Sequence, residues 1–338
     1  MTGVLPQVMA AGCGMAVPDV RLTNRDLEAQ LDTDDRWIVE RCGIRERRVA
    51  GPGETTSTLA IEAGAAAIKD AGLSPGDIEL LVLATATPDQ PLPGAAALVA
   101  EGLGLTCGTF DLGAACAGFT YAVVVGASIL ATGGERTALV IGADTFTRIV
   151  DPADRNTAVL FGDGAGATAL VAAEDASPSA DAPGVLAWDL GSDGTGYSLL
   201  EVPAGGSQRP TNAETVAAGG HWVRMDGREL FRRAVRVMAD SGRAALDKVG
   251  MSPADVDLFV PHQANIRIID ACASRLGIDA DRVAVNVDRY GNTSAASVAL
   301  ALSEAADAGQ LRDGDIVLLG GIGAGLTWAS VVIRWGRT

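Results

Sequence analysis

The chain contains an internal repeat, and this repeat limits the folds that it can adopt. Residues 67–84 read AIKDAGLSPGDIELLVLA and residues 245–262 read ALDKVGMSPADVDLFVPH, at an offset of 178 residues. From the central glycine onward, five of nine positions are identical. The same offset pairs the apolar run ALVIGAD at 138–144 with IVLLGGI at 316–322. Because the spacing recurs at separated sites, it predicts two similar halves packed about a pseudo-twofold axis.

Each half is expected to alternate helices with buried strands. Ala-rich helices are predicted over about 57–71 and 229–248, and the apolar runs at 79–85 and 257–260 are typical of buried strands. Strands that alternate with helices favour an α/β fold, in which helices cover a parallel-rich sheet.

The boundary between the halves is predicted in a polar segment. Residues 171–184 read VAAEDASPSADAPG, which is rich in Ser, Pro and Asp and typical of a loop. The predicted division is an N-terminal half over 1–173 and a C-terminal half over 174–338.

Charge and cysteine content exclude several classes of protein. The net charge of −16 argues against nucleic acid or an anionic membrane as the main partner. No positive charge precedes Arg21, and no run of about 18 apolar residues occurs, so neither a signal peptide nor a membrane span is predicted. The five cysteines are scattered without a CxxC pair, which fits a reducing cytoplasm and predicts no metal site.

Cys116 is a candidate nucleophile. It lies in DLGAACAGFTYAVVVGASIL, where a helix is expected to begin near the cysteine. The positive end of a helix dipole would lower the pKa of the thiol, and the small flanking residues would admit a substrate carbonyl. The alternative is a small buried core cysteine, since cysteine is among the most buried residue types.

His262 and Asn292 also lie at junctions between secondary structure elements. His262 follows the apolar run VDLFVP, and ligands collect at the carboxyl ends of strands. It could carry a proton, donate a hydrogen bond or serve the structure alone. Asn292 precedes an Ala-rich helix, where it could be an N-cap, although Thr293 or Ser294 could supply that cap instead. The repeat offset of 178 pairs Asn292 with residue 114, so both halves direct polar groups to similar junctions.

The order Cys, His, Asn is also that of papain-like proteases. Their C-G-[SA]-C-[WY] signature is missing, and a duplicated α/β chain suits that class poorly. The glycine clusters FGDGAGAT at 161–168 and GGIGAGL at 320–326 do not match a dinucleotide or P-loop motif in context. The second cluster could instead offer backbone N–H groups to an oxyanion.

Five separated motifs resemble the β-ketoacyl-acyl-carrier-protein synthase III family of thiolase-like condensing enzymes. They occur in the family's order and span essentially the whole chain: DTDDRWIVERCGIRERR (32–48), TFDLGAACAGFTYA (109–122), DRNTAVLFGDGAGA (154–167), VPHQANIRI (260–268) and YGNTSAAS (290–297). The resemblance implies a five-layer αβαβα fold made of two duplicated halves.

The same resemblance implies roles for the candidate residues. Cys116 would take an acyl group from acyl-CoA, and His262 and Asn292 would bind the thioester carbonyl of malonyl-carrier protein as carbon dioxide leaves. The backbone N–H groups of Cys116 and Gly325 would form an oxyanion hole. No metal or bound cofactor is implied, because coenzyme A arrives as the substrate thioester.

Further positions match the family's substrate sites. Trp37, Arg41 and Arg155 match residues that hold the coenzyme A nucleotide, and Asn265 matches one beside the pantetheine arm. Leu92, in TPDQPLPGAA (87–96), matches a position in the acyl pocket that is shaped partly by a second subunit, which implies a homodimer. Some members have an aromatic residue there, so we expect a primer larger than acetyl.

The resemblance also implies a docking patch for an acidic carrier protein, which a chain of charge −16 needs. Arg232 and Arg267 match docking positions, and Arg275 lies close by, with Arg233 and Arg236. Family members commonly have two adjacent lysines where this chain has Ser274 and Arg275, so docking is expected to be weaker or differently aimed.

The implied activity is a decarboxylating condensation that starts a fatty acid or polyketide chain. Two alternatives stay open. The first is an acyltransferase that passes the acyl group from Cys116 to an alcohol, amine or carrier thiol without decarboxylation. The second is a non-catalytic partner subunit, which the intact set of Cys116, His262 and Asn292 disfavours.

Overall fold

The structure is a computed structural model, and it describes residues 7–173 and 182–336. The predicted junction at 171–184 therefore lies partly outside the described residues, and the division into 1–173 and 174–338 stays a prediction. The strands are β1 Val8–Ala16, β2 Arg21–Thr23, β3 Glu46–Arg48, β4 Leu80–Ala84, β5 Gly108–Leu112, β6 Thr137–Thr145, β7 Asp163–Ala172, β8 Gly184–Ser192, β9 Leu200–Glu201, β10 Arg224–Met225, β11 Leu258–Pro261, β12 Ile316–Gly323 and β13 Thr327–Arg334. The helices are α1 Asn24–Glu28, α2 Asp35–Cys42, α3 Thr56–Asp70, α4 Ala96–Leu103, α5 Gly118–Ala131, α6 Arg155–Ala158, α7 Ala213–Ala217, α8 Gly227–Asp247, α9 Ile266–Leu276, α10 Val287–Tyr290 and α11 Ser297–Asp307.

The two predicted helices and two predicted strands of the repeat are confirmed within two residues at each end. Helix α3 begins after a capping box at Thr55, whose hydroxyl accepts from the Thr58 N–H group. Helix α8 begins after Asp226, whose carboxylate accepts from the Glu229 N–H group. The sequence therefore encodes these helix starts locally.

Two sheets form the frame of the molecule. Their strand orders are β1-β7-β6-β4-β5 and β11-β12-β13-β8. Strand β4 runs parallel to β5 and β6, and β11 runs parallel to β12, but the remaining pairs in both sheets are antiparallel. The prediction of parallel-rich sheets is therefore wrong. Strand β13 follows β12 after three residues, which is too short for the crossover that a parallel pair requires.

The two sheets and their helices stack in five layers. Helices α5 and α11 lie between the sheets, where a central core joins side chains such as Phe119 and Val298 to residues of both sheets. Helices α3 and α4 cover the outer face of the first sheet, and α8 and α9 cover that of the second. The implied αβαβα architecture is confirmed.

The pairing of strands corrects the repeat offset. Leu80 in β4 pairs with Ala138, and its repeat mate Leu258 in β11 pairs with Val317. The offset is 178 from 80 to 258 but 179 from 138 to 317, so the second half has gained one residue in between. The 3₁₀ turns Ala115–Ala117 and Ser294–Ala296 are also 179 residues apart. Asn292 therefore corresponds to Gly113, and its pairing with residue 114 is wrong.

Within the described ranges, no helix combines the length and the apolar character needed to cross a lipid bilayer.

Candidate active site

Cys116 lies at a strand-to-helix junction in the first half. A short 3₁₀ turn, Ala115–Ala117, connects to helix α5, so the cysteine precedes the helix by two residues. Its side chain is buried, and its Sγ atom lies 3.4 Å from the Ser294 hydroxyl of the other half. The expected position at a helix start is confirmed, and the thiol faces the second half of the molecule.

The electrostatic environment of Cys116 differs from the sequence-based expectation. The pKa of the thiol is raised to about 12, mainly by burial and to a smaller extent by the Asp144 carboxylate, while the Ser294 hydroxyl opposes part of this rise. The expectation of a lowered pKa is therefore wrong for the free protein. A thiol that is removed from water loses more than a nearby helix end returns, so Cys116 rests in its neutral form.

His262 follows strand β11 and is held on both sides. Its N–H group donates to the Gly320 carbonyl at 2.7 Å, and its Nδ1 atom lies 2.6 Å from the Ser297 hydroxyl. The Gln263 N–H group donates to the same hydroxyl oxygen at 3.4 Å, so this oxygen already accepts one hydrogen bond. When the Ser297 hydroxyl donates to Nδ1, the imidazole carries its own proton on Nε2.

Burial also keeps His262 neutral. Desolvation lowers the pKa of the imidazole to about 4, because no carboxylate compensates for the loss of water. At neutral pH the side chain is an uncharged donor through Nε2. Such a donor can stabilise a developing oxyanion without transferring its proton.

Asn292 presents its amide group in the same way. Its backbone joins the segment at 160–162, through Asn292 N to the Leu160 carbonyl at 2.8 Å and Gly162 N to the Asn292 carbonyl at 3.0 Å. The Oδ1 atom accepts from the Ser294 N–H group at 2.9 Å. Because Oδ1 is used by the turn, the Nδ2 donor is the end of the side chain left for a ligand. Asn292 thus caps the short turn before helix α11 through Oδ1, whereas Thr293, the other predicted cap, makes no side-chain cap hydrogen bond there.

A cavity of about 110 Å³ brings the three candidates together. Cys116, His262 and Asn292 all line it, and the rest of its wall is mainly apolar, including Leu200, Leu230, Ala234, Ile268 and Ile322. Cys116 lies between β5 and α5, His262 follows β11, and Asn292 lies between α10 and α11. The fold places all three around one cavity. An acyl chain and a thioester are the chemical groups that such a wall suits.

A larger outer cavity of about 820 Å³ adjoins this inner cavity. The two share Leu160, Met225, Gly227, Phe231 and Asn265, which form a passage from the surface to Cys116. Trp37 and three arginines, Arg41, Arg228 and Arg267, line the outer cavity. These arginines form no ion pair with any described residue, so they can pair with phosphate.

Comparison with known proteins agrees with this geometry. Residues 110–194 match the family 3-Oxoacyl-[acyl-carrier-protein (ACP)] synthase III, and residues 246–335 match its C-terminal family. A Beta-ketoacyl-[acyl-carrier-protein] synthase III of Desulfitobacterium hafniense (strain DSM 10664 / DCB-2) is 50% identical over 96% of this chain and 97% of its own. One of Roseiflexus sp. (strain RS-1) is 51% identical, also over 96% and 97%.

Solved structures show the same likeness. The 3-oxoacyl-[acyl-carrier-protein] synthase III of Aquifex aeolicus VF5 superposes with a TM-score of 0.88 at 41% identity, over 98% of this chain and 100% of that one. The priming beta-ketosynthase of the R1128 polyketide pathway has a TM-score of 0.90 at 35% identity, over 100% and 99%. This chain belongs to the β-ketoacyl-acyl-carrier-protein synthase III family. It is therefore an acyl-transferring condensing enzyme.

The residues matched to the nucleotide site of the synthase III family lie close together. The guanidinium carbon of Arg155 lies 4.7 Å from the ring centre of Trp37, and that of Arg41 lies 5.6 Å from it. Arg155 does not line the outer cavity itself, and it also donates to the Asp32 carbonyl at 2.6 Å. Asn265 lines both cavities, and its Oδ1 atom caps helix α9 by accepting from Ile268 N at 3.0 Å.

Among the arginines predicted to dock the carrier protein, Arg267 lines the outer cavity, whereas Arg232 and Arg275 line a separate groove. Arg267 is exposed beside the Phe231 ring, at 5.6 Å from its centre. Arg232 forms an ion pair with Glu229 at 2.6 Å, and Arg275 forms one with Asp240 at 3.1 Å. Both carboxylates lie on helix α8. These ion pairs reduce the positive charge that Arg232 and Arg275 offer to a partner.

Two residues with predicted site roles, Gly325 and Leu92, do not line either cavity. Gly325 does not line the inner cavity, whereas Gly323 does, and a Cβ atom on Gly323 would lie 2.6 Å from the Cys116 nitrogen. Leu92 is 85% exposed and lines neither cavity within one chain, because it lies in the surface loop before helix α4. A role for Leu92 in an acyl pocket therefore requires a second subunit.

Sequence reasoning gave no site role to Arg228, Ser294 or Ser297, and it included Gly323 only as part of the glycine cluster at 320–326. Arg228 begins the run RELFRRAVR, which also contains Arg232. It lies in the first turn of helix α8, and a cationic side chain at the end of a helix could have suggested a ligand contact. The two serines belong to the YGNTSAAS motif, in which only Asn292 was given a site role and Ser294 was considered only as a cap. Within the described ranges, no group of three or more His, Cys, Asp or Glu side chains is placed to hold a metal ion.

Proposed function

We propose that this synthase III condenses an acyl-CoA primer with malonyl-acyl-carrier protein and releases 3-oxoacyl-carrier protein, carbon dioxide and coenzyme A. The observation that carries the proposal is the convergence of Cys116, His262 and Asn292 on one apolar cavity with an arginine-lined approach. The product begins a fatty acid or polyketide chain.

In the first half-reaction, Cys116 would lose its proton and attack the carbonyl carbon of the acyl-CoA. A bond forms from Sγ to that carbon, and the bond to the coenzyme A sulfur breaks, so coenzyme A leaves with the electron pair and takes up a proton. The negative oxygen of the intermediate would be held by backbone N–H groups, for which we propose Cys116 and Gly325, with Gly323 allowing the close approach.

In the second half-reaction, the malonyl thioester would enter by the same passage. Its carbonyl oxygen would accept from His262 Nε2 and Asn292 Nδ2, both of which are left free of the contacts that fix their other ends. Carbon dioxide leaves, the enolate forms on that oxygen, and its carbon attacks the acyl group on Cys116. The neutral state of His262 suits this role, because it stabilises the enolate without protonating it.

The substrate contacts follow from the outer cavity. Trp37, Arg41 and Arg155 would hold the adenine nucleotide, joined by Arg228, and Asn265 would contact the pantetheine arm. Arg267, Arg232 and Arg275 would attract the acidic carrier protein, with Arg267 contributing most because Arg232 and Arg275 are already paired. The reaction as proposed needs no metal or cofactor beyond the coenzyme A thioester.

A homodimer is part of this proposal. Strand β5 is an open edge of the first sheet, and Phe110 on that strand, Leu98 and Leu92 are all exposed. An open edge beside exposed apolar side chains suits pairing with a second copy. In that dimer, Leu92 would reach the acyl pocket of the partner, and a side chain smaller than an aromatic ring would admit a primer larger than acetyl.

The test is the intact mass of the protein after incubation with a mixed panel of acyl-CoAs. We expect a single acyl adduct on the wild-type protein and none on Cys116→Ala, and the added mass identifies the primer. A strict preference for acetyl-CoA would contradict the role given to Leu92. An adduct that survives in Cys116→Ala would contradict the role of the cysteine.

Release of carbon dioxide from malonyl-carrier protein separates the condensing enzyme from an acyltransferase. We expect the wild-type protein to release it, and His262→Ala to release it at least about a hundredfold more slowly. A protein that is acylated on Cys116 but never decarboxylates malonyl-carrier protein would instead transfer its acyl group to another acceptor.

A further inference from the structure

The Cys116 sulfur has one hydrogen-bonding partner among the described side chains. This partner is the Ser294 hydroxyl at 3.4 Å, and Ser294 itself is fully buried. His262 is hydrogen-bonded to Ser297 and not to the cysteine, so the pair is not a Cys–His dyad. We propose that Ser294 is a further catalytic residue, whose hydroxyl donates a hydrogen bond to the Cys116 sulfur and stabilises its thiolate. This inference rests on the proposed role of Cys116 as the nucleophile.

The backbone at Ser294 supports this assignment. Its φ angle is +51°, in the left-handed region that favours glycine. A serine there carries a strain that a glycine would avoid, and its side chain extends to the sulfur. Non-glycine residues held in such conformations cluster at functional sites, which makes the strained serine a candidate for a role in the reaction.

Two contacts hold the turn that carries Ser294. The Ser294 N–H group donates to Asn292 Oδ1, and the next N–H group, that of Ala295, donates to Asp144 at 2.9 Å. Asp144 is fully buried, and its other oxygen accepts from the threonines and backbone of the 85–87 loop. The hydroxyl is thus positioned by a turn fastened on both sides.

Asp144 and Ser294 have opposite effects on the pKa of Cys116. The Asp144 carboxylate disfavours a thiolate on Cys116, whereas the Ser294 hydroxyl favours it. The same hydroxyl also interacts with the Asp144 carboxylate, so the sulfur and the carboxylate share one donor. Where it donates to the sulfur, it opposes both the carboxylate and the desolvation that raise the thiol pKa. Asp144 holds the turn in place but raises the pKa of Cys116, and Ser294 cancels part of that rise.

The hydrogen bond acts at two steps without any transfer of the serine proton. Before acylation it stabilises the thiolate that forms when Cys116 loses its proton. After condensation, the bond from Sγ to the acyl carbon breaks, and the sulfur leaves with the electron pair as a thiolate again. Ser294 keeps its O–H bond throughout.

Site-resolved alkylation measures this effect without depending on the proposed reaction. Wild-type protein and Ser294→Ala are treated with iodoacetamide from pH 6 to 9, and the labelled peptides are quantified by mass spectrometry. Cys107, which is half-buried, serves as the internal reference. A rise of about one in the Cys116 pKa would lower the thiolate population about tenfold, and each thiolate would react about threefold faster, so we expect a threefold to fourfold slower reaction at every pH.

The matched control is Ser303→Ala. Ser303 is equally buried on helix α11, and its hydroxyl donates to the Gly14 carbonyl at 3.1 Å, away from the cysteine. We expect this variant to keep the wild-type ratio of Cys116 to Cys107 labelling. Ser294→Gly provides a second variant, because glycine adopts the positive φ freely, and it should show the same loss as Ser294→Ala.

The same samples are then incubated with the acyl-CoA panel. A wild-type protein that takes no acyl group would contradict the proposed function. An unchanged labelling ratio in Ser294→Ala and Ser294→Gly, in a protein that is acylated, would overturn the inference about Ser294. An equal loss in Ser303→Ala would overturn it as well, since the effect would then be structural.

Discussion

The two halves of the molecule build the same junction and use it differently. In each half a residue with positive φ begins a 3₁₀ turn that leads into a central helix, Ala115 before α5 and Ser294 before α11. These two residues are 179 apart, which is the corrected offset of the repeat. In the first half the turn carries Cys116, and in the second half it is flanked by Asn292 and Ser297.

The difference shows how a duplicated backbone acquires one active site. The repeat fixes where polar side chains can face the central cavity, and the residue types decide what chemistry each face supplies. The first half supplies the sulfur and the second half supplies the donors His262, Asn292 and Ser294. Each half therefore lacks what the other provides, and contacts between the halves complete the site.

The largest effect is expected for Asn292→Ala, which tests whether the second half acts mainly in decarboxylation and the first half in acylation. Loss of the Nδ2 donor should slow the decarboxylation of malonyl-carrier protein by about 10²–10³-fold, because one oxyanion donor contributes about 3–4 kcal/mol. Acylation of Cys116 should fall less than about tenfold. Separate assays of acyl transfer and carbon dioxide release measure the split, and Cys116→Ala should show the reverse. Equal losses in both half-reactions would contradict the division.

Burial raises the pKa of Cys116 in the first half and lowers the pKa of His262 in the second half. The shift of His262 makes the stability of the protein depend on pH. The pKa of His262 is lowered from 6.5 to about 4, so between these values the unfolded chain binds a proton that the folded chain does not. The free energy of unfolding should therefore fall by about 3 kcal/mol as the pH drops from 6.5 to 4. Urea unfolding at several pH values measures this loss.

His262→Gln should be less sensitive to acid than the wild-type protein over this interval, because it lacks the imidazole. His221→Gln is the matched variant, and it removes the other histidine of the chain. The same slope in wild-type protein and His262→Gln would show that the histidine does not carry the effect.

A smaller effect is expected at Ser297, which orients His262 within the second half. Ser297→Ala removes the donor to Nδ1 and frees the imidazole to carry its proton on either nitrogen. The loss of one hydrogen bond, about 1 kcal/mol, should slow decarboxylation about fivefold to tenfold. Cys116 alkylation should change less than in Ser294→Ala. A Ser297→Ala variant with wild-type decarboxylation would show that the tautomer is fixed by other groups.

The smallest effect concerns the outer cavity, to which both halves contribute. Trp37 and Arg41 come from the first half, and Arg228 and Arg267 come from the second. Arg228→Ala should raise KM for acyl-CoA about threefold with little change in kcat, since one exposed charge contributes about 0–1 kcal/mol. The exposed Arg21, in the first half, provides the control as Arg21→Ala. A change in kcat alone would place Arg228 nearer to the reacting atoms.

The sequence predicted the repeat, its helices and the three residues around the inner cavity. These features depend on local patterns, such as apolar periodicity and capping residues, or on motifs that resemble a family. The strand directions were not predictable in the same way, because an apolar run indicates a buried strand but does not show whether it runs parallel or antiparallel to its neighbour. The extra residue before Asn292 was hidden because the sequences of the two halves diverge there.

The electrostatics of the site could not be read from the sequence. A cysteine before a helix is expected to be acidic, but its actual pKa depends on how much water the fold removes, and Cys116 is buried. Ser294 could not be recognised for a similar reason. Its positive φ and its distance to Cys116 arise only when the two halves pack together.

The passage shared by the inner and outer cavities has a kinetic consequence. The two cavities meet at shared wall residues, so we expect both substrates to reach the cysteine by one route: Leu160, Met225, Gly227, Phe231 and Asn265. Coenzyme A must vacate that route before the prosthetic arm of a carrier protein can occupy it. The two substrates would therefore bind one after the other, and the second would enter only after coenzyme A has left. An excess of free coenzyme A would compete with acyl-CoA and with malonyl-carrier protein.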